Sequence, residues 1–402
     1  MASLRPCFPP ANRARRAPAA SNAGVLPIDV LFDVLLRLPP RELCRLRAVC
    51  RSWRSLTSDP LFIGEHAARH PGPLLLANFR GDQAHIDVVD LSGNVIKRIR
   101  GADGHQLLCT RLDMACVATA MSSCRVLNPA TGAAYILPGI PIGERMNRED
   151  RTWPYSSFAF GHIAATGQYK VLRMFEWREF RGGFVEQQLF DVFTISGDAH
   201  HVQWREMECF GPFVETSSAV VVDGVVYFLM DFIYQSMLIA GVNPGIRPDC
   251  IFSIDLEREE WRGQLQGPVS VNLEMDNLDD FDEYCAIWSQ LTLADLKGSL
   301  VLVNYCSLQS TMDLWLLTDF ENGLWLKEYG IQTESIVPRD ERRIKALLVL
   351  DGGRLVIHLA WTGLLLIYDP RMNSLAEVGM RPLDAVGMYT GSLLSLQGGD
   401  MV

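Results

Sequence analysis

The side chains of this sequence that could bind a metal ion fall in two short stretches. In the first, His66 and His70 lie four residues apart, a spacing that places two imidazoles on one face of a helix. Glu65 precedes the first histidine, whereas the zinc-protease pattern requires the glutamate directly after it. We therefore expect an exposed helix over residues 63–70 and no metal site there.

The second stretch is an acidic run between residues 274 and 283, rich in the carboxylates that calcium prefers. The alternating spacing and the glycine of a calcium-binding loop are missing. We expect a solvated acidic loop, or alternatively a loop that selects a basic partner surface. Its carboxylates are Glu274, Asp276, Asp279, Asp280, Asp282 and Glu283.

Catalytic motifs are also missing from the sequence. It contains no glycine-rich phosphate loop of the GxxxxGK[ST] or GxGxxG type and no GxSxG nucleophile motif. The one adjacent histidine pair, His200-His201, lies in a polar turn, where imidazoles are usually solvated. We predict a protein that is not an enzyme and needs no cofactor.

Composition and charge further restrict the class of protein that this sequence can encode. The 402 residues are 48% hydrophobic and 21% charged, as in ordinary folded domains. A net charge of -10 argues against a nucleic-acid partner, and no apolar run is long enough to span a membrane. The ten cysteines have no paired spacing, which favours reduced thiols and location in the cytoplasm or nucleus.

Residues 1–25 carry four arginines and no acid. We predict a disordered basic tail there; a weaker similarity is to an organelle transit peptide.

The elements that must position any functional surface begin with residues 26–62, where apolar side chains recur at helical spacing. Pro39-Pro40 and Asp59-Pro60 interrupt the pattern, so we predict three short helices within a domain over residues 26–70. Such a segment is too short to bury all of its apolar side chains, and an exposed apolar patch marks a protein interface. The rim between these side chains is basic, which favours an acidic partner. It contains Arg37, Arg41, Arg45, Arg47, Arg51 and Arg54.

The same segment resembles the F-box. The matching residues are Leu26-Pro27-x-Asp29-x-Leu31, Leu35, Leu38-Pro39, Leu43, Val49-Cys50-Arg51-x-Trp53-Arg54 and Pro60-x-Phe62. This resemblance implies binding to a Skp-type adaptor and, through it, to the cullin and RING subunits of a ubiquitin ligase. The residues predicted to contact the adaptor are Leu26, Pro27, Leu31, Leu35, Leu38, Pro39, Leu43, Val49, Cys50 and Trp53.

From residue 74 onward, short apolar strands replace helical periodicity, and hairpin signals such as Asp223-Gly224 and Lys297-Gly298 recur between them. Third strands end in Asp or Asn (Asn128, Asp255 and Asp369), whose side chains favour a turn into a fourth strand. Repeated four-stranded antiparallel sheets make a β-propeller. We predict six blades over 74–99, 105–137, 156–208, 218–264, 290–327 and 344–378, or seven if 139–155 or 267–289 contains strands. A last strand over 388–396 would complete the first blade.

The fold class expected is therefore an α+β multidomain protein, a helical module followed by an all-β propeller over residues 71–402. This second region resembles the F-box-associated domain of plant F-box proteins, without the spacing of kelch repeats. The resemblance lies in the order of short motifs along the chain. They are Asn128-Pro129-Ala130-Thr131-Gly132, Leu137-Pro138, Tyr169-Lys170-Val171, Trp204-Arg205, Gly224-x-x-Tyr227, Ile254-Asp255-Leu256, Lys297-Gly298-x-Leu300, Asp313-Leu314-Trp315 and Trp325-x-Lys327.

Aromatic and arginine side chains in long inter-strand segments are the candidates for target binding, because these types dominate interface energetics. They are Trp153, Tyr155, Tyr234, Arg339 and Arg342. Most tryptophans from position 177 on, Trp361 included, are expected in the core between blades.

The sequence thus predicts a substrate receptor that docks on the adaptor through the F-box and holds an unknown target protein on the propeller. The alternatives are an F-box scaffold without target turnover and a propeller enzyme.

Overall fold

The structure is a computed structural model in which, among the described residues, four α-helices are followed by twenty-four β-strands. The described residues are 26–70, 72–101, 106–111, 113–119, 123–139, 155–178, 185–195, 203–208, 213–231, 247–270, 287–333, 336–341 and 343–394.

The helices are short and each begins at a residue that suits a first turn. They are α1 (Ile28–Leu36), α2 (Pro40–Leu46), α3 (Arg51–Leu56) and α4 (Pro60–Arg69). Proline occupies the first position of α2 and α4, where its missing N–H costs no hydrogen bond. The Asp59 carboxylate accepts a hydrogen bond from the Leu61 amide at 2.8 Å, so Asp59-Pro60 begins a fourth helix besides ending the third.

The helices share a small core, which contains Leu35, Leu36, Leu43 and Phe62. Leu394, near the other end of the chain, is buried in the same cluster. The exposed helix predicted over 63–70 is the later part of α4, and most of its residues are exposed. His66 is the exception, because it is buried against Phe62, which lies in this core.

The strands form six four-stranded antiparallel sheets, so the predicted six blades are confirmed. Blade one contains β1 (Leu74–Phe79), β2 (His85–Asp90), β3 (Val95–Arg100) and β24 (Leu383–Tyr389). Blade two contains β4 (Gln106–Arg111), β5 (Met114–Thr119), β6 (Ser123–Leu127) and β7 (Ala134–Ile136). Blade three contains β8 (Tyr155–Ile163), β9 (Gln168–Arg178), β10 (Val185–Ile195) and β11 (Arg205–Glu206).

The other three blades repeat the same order. Blade four contains β12 (Val220–Val222), β13 (Val225–Leu229), β14 (Cys250–Asp255) and β15 (Glu260–Gln266). Blade five contains β16 (Leu291–Leu296), β17 (Ser299–Cys306), β18 (Thr311–Asp319) and β19 (Leu324–Gln332). Blade six contains β20 (Ile344–Val349), β21 (Leu355–Leu359), β22 (Leu364–Asp369) and β23 (Ser374–Glu377).

The turns form for the reasons that the sequence suggested. Asp223 and Gly224 have φ of 46° and 78°, which is the backbone that a two-residue hairpin requires. The Asn128 side chain accepts hydrogen bonds from the Ala130 and Thr131 amides at 2.9 and 3.1 Å, turning β6 into β7. Local turn chemistry therefore produces the repeated four-stranded meander.

The ring closes on β24, which pairs with β1 from Tyr389 opposite Leu74 to Leu383 opposite Phe79. The predicted closing strand over 388–396 was wrong in position, because β24 ends at Tyr389 and Leu394 packs on the helices instead. A hydrophobic cluster lies at every junction between neighbouring blades, including blades six and one. Pairing and burial together leave the ring no open edge at blade one.

Candidate docking surfaces

The outer side of the helices carries a dense group of exposed apolar side chains. Of the thirteen large apolar residues exposed among the described ones, six lie between residues 26 and 61. Val30 and Val34 follow an i, i+4 spacing and so lie on one side of α1, and Leu26 lies just before this helix. The six are Leu26, Ile28, Val30, Val34, Val49 and Leu61, from 44% to 76% exposed, and we call them the helical apolar patch. A patch of this kind marks a site of protein association.

The predicted adaptor-binding residues divide into three groups by burial. Leu35 and Leu43 are buried in the helical core, so they support the surface from beneath and are not part of it. The exposed ones are Leu26, Pro27, Pro39, Val49 and Cys50, and the half-buried ones are Leu31, Leu38 and Trp53. Sequence reasoning left out Val30 and Val34, which their spacing from Leu26 would have identified.

The basic rim is smaller than the sequence suggested. Arg37, Arg45, Arg51 and Arg54 are exposed, as predicted for a positive border. Arg47 is different: its guanidinium donates to the Leu393 carbonyl at 3.0 Å and to the Ser58 hydroxyl at 3.1 Å. Burial lowers the pKa of Arg47, but it stays charged at neutral pH. The Arg47 side chain therefore links the end of α2 to the segment after β24 and is not part of the basic rim.

The two histidines of α4 bond to the end of α1. Nε2 of His66 lies 2.9 Å from the Leu38 carbonyl oxygen, and Nε2 of His70 lies 3.1 Å from that of Leu36. Each ring nitrogen therefore donates to a carbonyl that the end of the helix leaves unpaired. Burial lowers the pKa of His66, which favours its neutral form. The described residues contain no group of three or more potential metal ligands.

The propeller presents two different faces. Leu74, where β1 begins, pairs with Tyr389, where β24 ends, so both connections to the helices lie on one face, here called the helix-side face. Because the strands of each blade alternate in direction, successive connections alternate between this face and the far face. The five longest connections between described strands are 137–154, 207–219, 230–249, 267–290 and 333–343, and the strand ends that they join all lie on the far face.

In the sequence, the residues predicted to bind a target fall within these five connections or border them. Trp153, Tyr234 and Arg342 lie outside the described residues, as do the acidic run 274–283 and His200-His201. Tyr155 begins β8, and Arg339 is exposed ahead of β20. Of the five, the structure therefore describes only Tyr155 and Arg339, both at the far face, and the roles of all five stay predictions.

A cavity of about 820 Å³ lies between the innermost strands of the blades. Arg111 at the end of β4 donates to the Asp295 carboxylate in β16 at 2.6 Å. These strands belong to opposite blades, two and five, so the ion pair crosses the ring at the helix-side end. Asp223, 3.9 Å from Arg111, adds a third charge. Apolar, hydroxyl and charged side chains line the rest, among them Trp288, Leu347, Arg343, Lys345, Glu215 and Asp351.

Comparison with known proteins matches both parts of the chain. A family model described as F-box associated beta propeller domain matches residues 103–387, and one described as F-box-like matches residues 23–63. An F-box generally implies binding to a Skp-type adaptor.

Two curated relatives come from Arabidopsis thaliana. F-box protein At1g53790 is 24% identical over 359 residues, which cover 83% of this chain and 70% of that protein. F-box protein CPR1 is 24% identical over 364 residues, which cover 83% and 81%. Among solved structures, the virginiamycin B lyase from Staphylococcus aureus has 12% identity and a TM-score of 0.39 over 76% of this chain and 83% of that chain. That likeness is too low to bear on function.

Within the described residues, no helix has the length and apolarity needed to cross a membrane. The family model of the propeller covers well over half of the chain, and the F-box-like match covers helices α1 to α3. The chain therefore belongs to the F-box associated beta propeller family and is a plant-type F-box protein.

Proposed function

We propose that this protein is the substrate-recognition subunit of a Skp–cullin–F-box ubiquitin ligase. One observation carries the proposal: the helical apolar patch lies on the helices, whereas the strand ends that the long connections join lie on the face away from the helices. An adaptor bound to the helices would leave the far face open for a target. The chain then acts by raising the effective concentration of target lysines near the ubiquitin donor.

This role requires no catalytic group from the chain itself. The adaptor would contact Leu26, Ile28, Val30 and Val34 along α1 and Val49 beyond α2. The exposed arginines around them would favour an acidic adaptor surface. Skp-type adaptor, cullin and RING subunits are the partners that this proposal names, and the cytoplasm or nucleus is the compartment.

The test is adaptor binding by the full-length chain. Replacing Val30 and Val34 together by glutamate places two charges in the proposed contact while leaving the helical core untouched, since both side chains are exposed. We expect at least about a 30-fold loss of affinity for a purified Skp-type adaptor, measured by calorimetry. Unchanged circular dichroism and an unchanged unfolding temperature would show that the chain still folds.

The matched control is Leu308→Glu. Leu308 is 87% exposed and lies on the far face between β17 and β18, so the same change should leave adaptor affinity unaltered. Full affinity of the Val30→Glu/Val34→Glu variant contradicts adaptor docking through α1. Turnover is tested separately: proteins that co-purify with the chain should rise in abundance when it is depleted, and stable levels would favour a scaffold.

A further inference from the structure

Trp361 is an exposed tryptophan in a tightly held turn. It lies between β21 and β22 on the far face and is 70% exposed, although the sequence pattern predicted it in the core. Its amide donates to Oε1 of Glu341 at 2.9 Å, and its carbonyl accepts from Nη2 of Arg80 at 3.0 Å. The prediction was wrong because a residue in a turn has no neighbouring blade to pack against.

The rest of the turn is fixed as well. The Thr362 amide and hydroxyl donate to Oε2 of the buried Glu341 at 3.1 and 3.2 Å. Gly363 has φ of 78°, and a Cβ added there would lie 2.7 Å from the Leu383 carbonyl oxygen. These contacts fix the backbone of the Trp361 turn before a partner binds. Packing on the indole therefore costs little conformational entropy of this turn.

Basic side chains surround this turn. Arg343 is exposed and lies directly beside it, since its carbonyl accepts from the Ala360 amide at 2.9 Å. Lys345, at the beginning of β20, is also exposed, and like Arg343 it lines the cavity. Arg339 is exposed on the connection that also carries Glu341.

Three of the acids nearby are already bonded. Glu341 holds the turn, Asp384 pairs with Arg80 at 3.1 Å, and Asp82 pairs with His85 at 3.0 Å, whereas Asp340 and Glu377 are exposed. Arg381 adds a further positive charge beside them, over the Phe79 ring at 4.4 Å. In a chain of net charge -10, exposed basic side chains are therefore clustered beside this turn.

We propose that the Trp361 turn with Arg339, Arg343 and Lys345 binds an acidic segment of the target protein. An apolar side chain of that segment packs on the Trp361 indole, and its carboxylates pair with the three cations. Tryptophan and arginine are the residue types that most often dominate binding energy, and opposite charge accelerates and orients the encounter. The inference rests on the proposed function, because it names the chemistry of what the far face receives.

The experiment selects peptides from a displayed random library on the immobilised full-length chain, without adaptor. We expect enriched peptides to carry net negative charge and at least one large apolar residue. A synthetic copy of the most enriched peptide should bind about 30-fold more weakly to the Trp361→Ala variant. Its affinity for the unchanged chain should fall as salt is raised, since exposed charge pairs are screened.

Two further variants complete the design. Arg343→Glu should lose the acidic peptides and enrich less acidic ones, while Met372→Ala should behave as the unchanged chain. Met372 is 75% exposed in the same blade but lies on the helix-side face, between β22 and β23. Neutral or basic peptides in the selection, or acidic peptides retained by Trp361→Ala, would overturn the inference. The selection contains no adaptor, so these results do not bear on the proposed adaptor binding. Conversely, a variant that loses only adaptor binding does not contradict the Trp361 site.

Discussion

The helical module and the propeller bury their apolar side chains in different ways. The propeller has one hydrophobic cluster at each of its six blade junctions, so every blade is covered on both sides by its neighbours. The helical module has one small cluster, and Leu394 from the segment after the closing strand completes it. Closed repetition makes the propeller self-sufficient, whereas the module depends on the propeller beneath and leaves its helical apolar patch open.

The two regions also differ in their ion pairs. In blade three, Nη2 of Arg173 lies 2.8 Å from Oδ2 of Asp191, and the two side chains are only 4% and 1% exposed. The module's pair between Arg45 and Glu42 is 62% and 44% exposed. A buried charge without its partner is costly, whereas an exposed one is solvated. The comparison therefore predicts large effects in the propeller interior and smaller ones in the helices.

The largest effect should follow Asp191→Leu, which removes the carboxylate that lies 2.8 Å from the buried Arg173 guanidinium. We expect the free energy of unfolding to fall by about 3–5 kcal/mol, measured by urea denaturation. Asp313→Leu is the control, because the Lys327–Asp313 pair is 44% and 26% exposed and should contribute at most about 1 kcal/mol. Equal losses in the two variants would remove the distinction between interior and surface charge.

The pH dependence of the propeller should depend on His358 in β21. This residue is 2% exposed, and its Nε2 has no hydrogen-bond partner among the described residues. Burial, with a smaller contribution from Lys345, lowers the pKa of His358 from 6.5 to about 4. A lowered pKa means that the unfolded chain binds the proton first, so stability is complete above about pH 6.5 and is lost as pH falls towards 4.

The expected loss between those two pH values is about 3 kcal/mol, because each pKa unit corresponds to about 1.4 kcal/mol. Urea denaturation at several pH values measures it, and His358→Gln should flatten the dependence. Burial lowers the pKa of His66 in the same direction, so the helical module should also lose stability as pH falls below about 6.5. An unchanged acid dependence in His358→Gln would assign the effect to other groups.

Local chemistry made much of the fold predictable from sequence. Glycine-containing pairs such as Asp223-Gly224 and third-strand caps such as Asn128 act within a few residues, so the blades could be placed to within a few residues. The largest difference is in blade five, where β19 continues to Gln332. The closing strand was misplaced because Asp384 and Gly387 weaken its alternation, while the apolar run that includes Leu393 and Leu394 looks more strand-like.

The surfaces were less predictable than the elements. A helical pattern shows that Leu35 and Leu43 are apolar, but not that Leu394, some 350 residues away, covers them. Likewise, the sequence predicts Arg47 in the basic rim, whereas the structure shows its guanidinium bonded to the Leu393 carbonyl. The sequence predicts Trp361 in the core, whereas it lies exposed in a turn on the far face. Burial depends on long-range neighbours, which periodicity within one segment does not report.

The smallest expected effect tests the dependence of the module on the propeller. Leu394→Ala removes one buried side chain from the helical core and should cost about 2 kcal/mol. Because the blade junctions are untouched, we expect hydrogen exchange to speed up in α1 and α2 while the amides of the blades keep their protection. Leu308→Ala, at an exposed far-face position, is the control and should change neither region. Uniformly faster exchange over helices and blades would mean that the two regions unfold as one unit. Faster exchange confined to the helices, together with weaker adaptor binding, would mean that Leu394 stabilises the conformation of α1 that binds the adaptor.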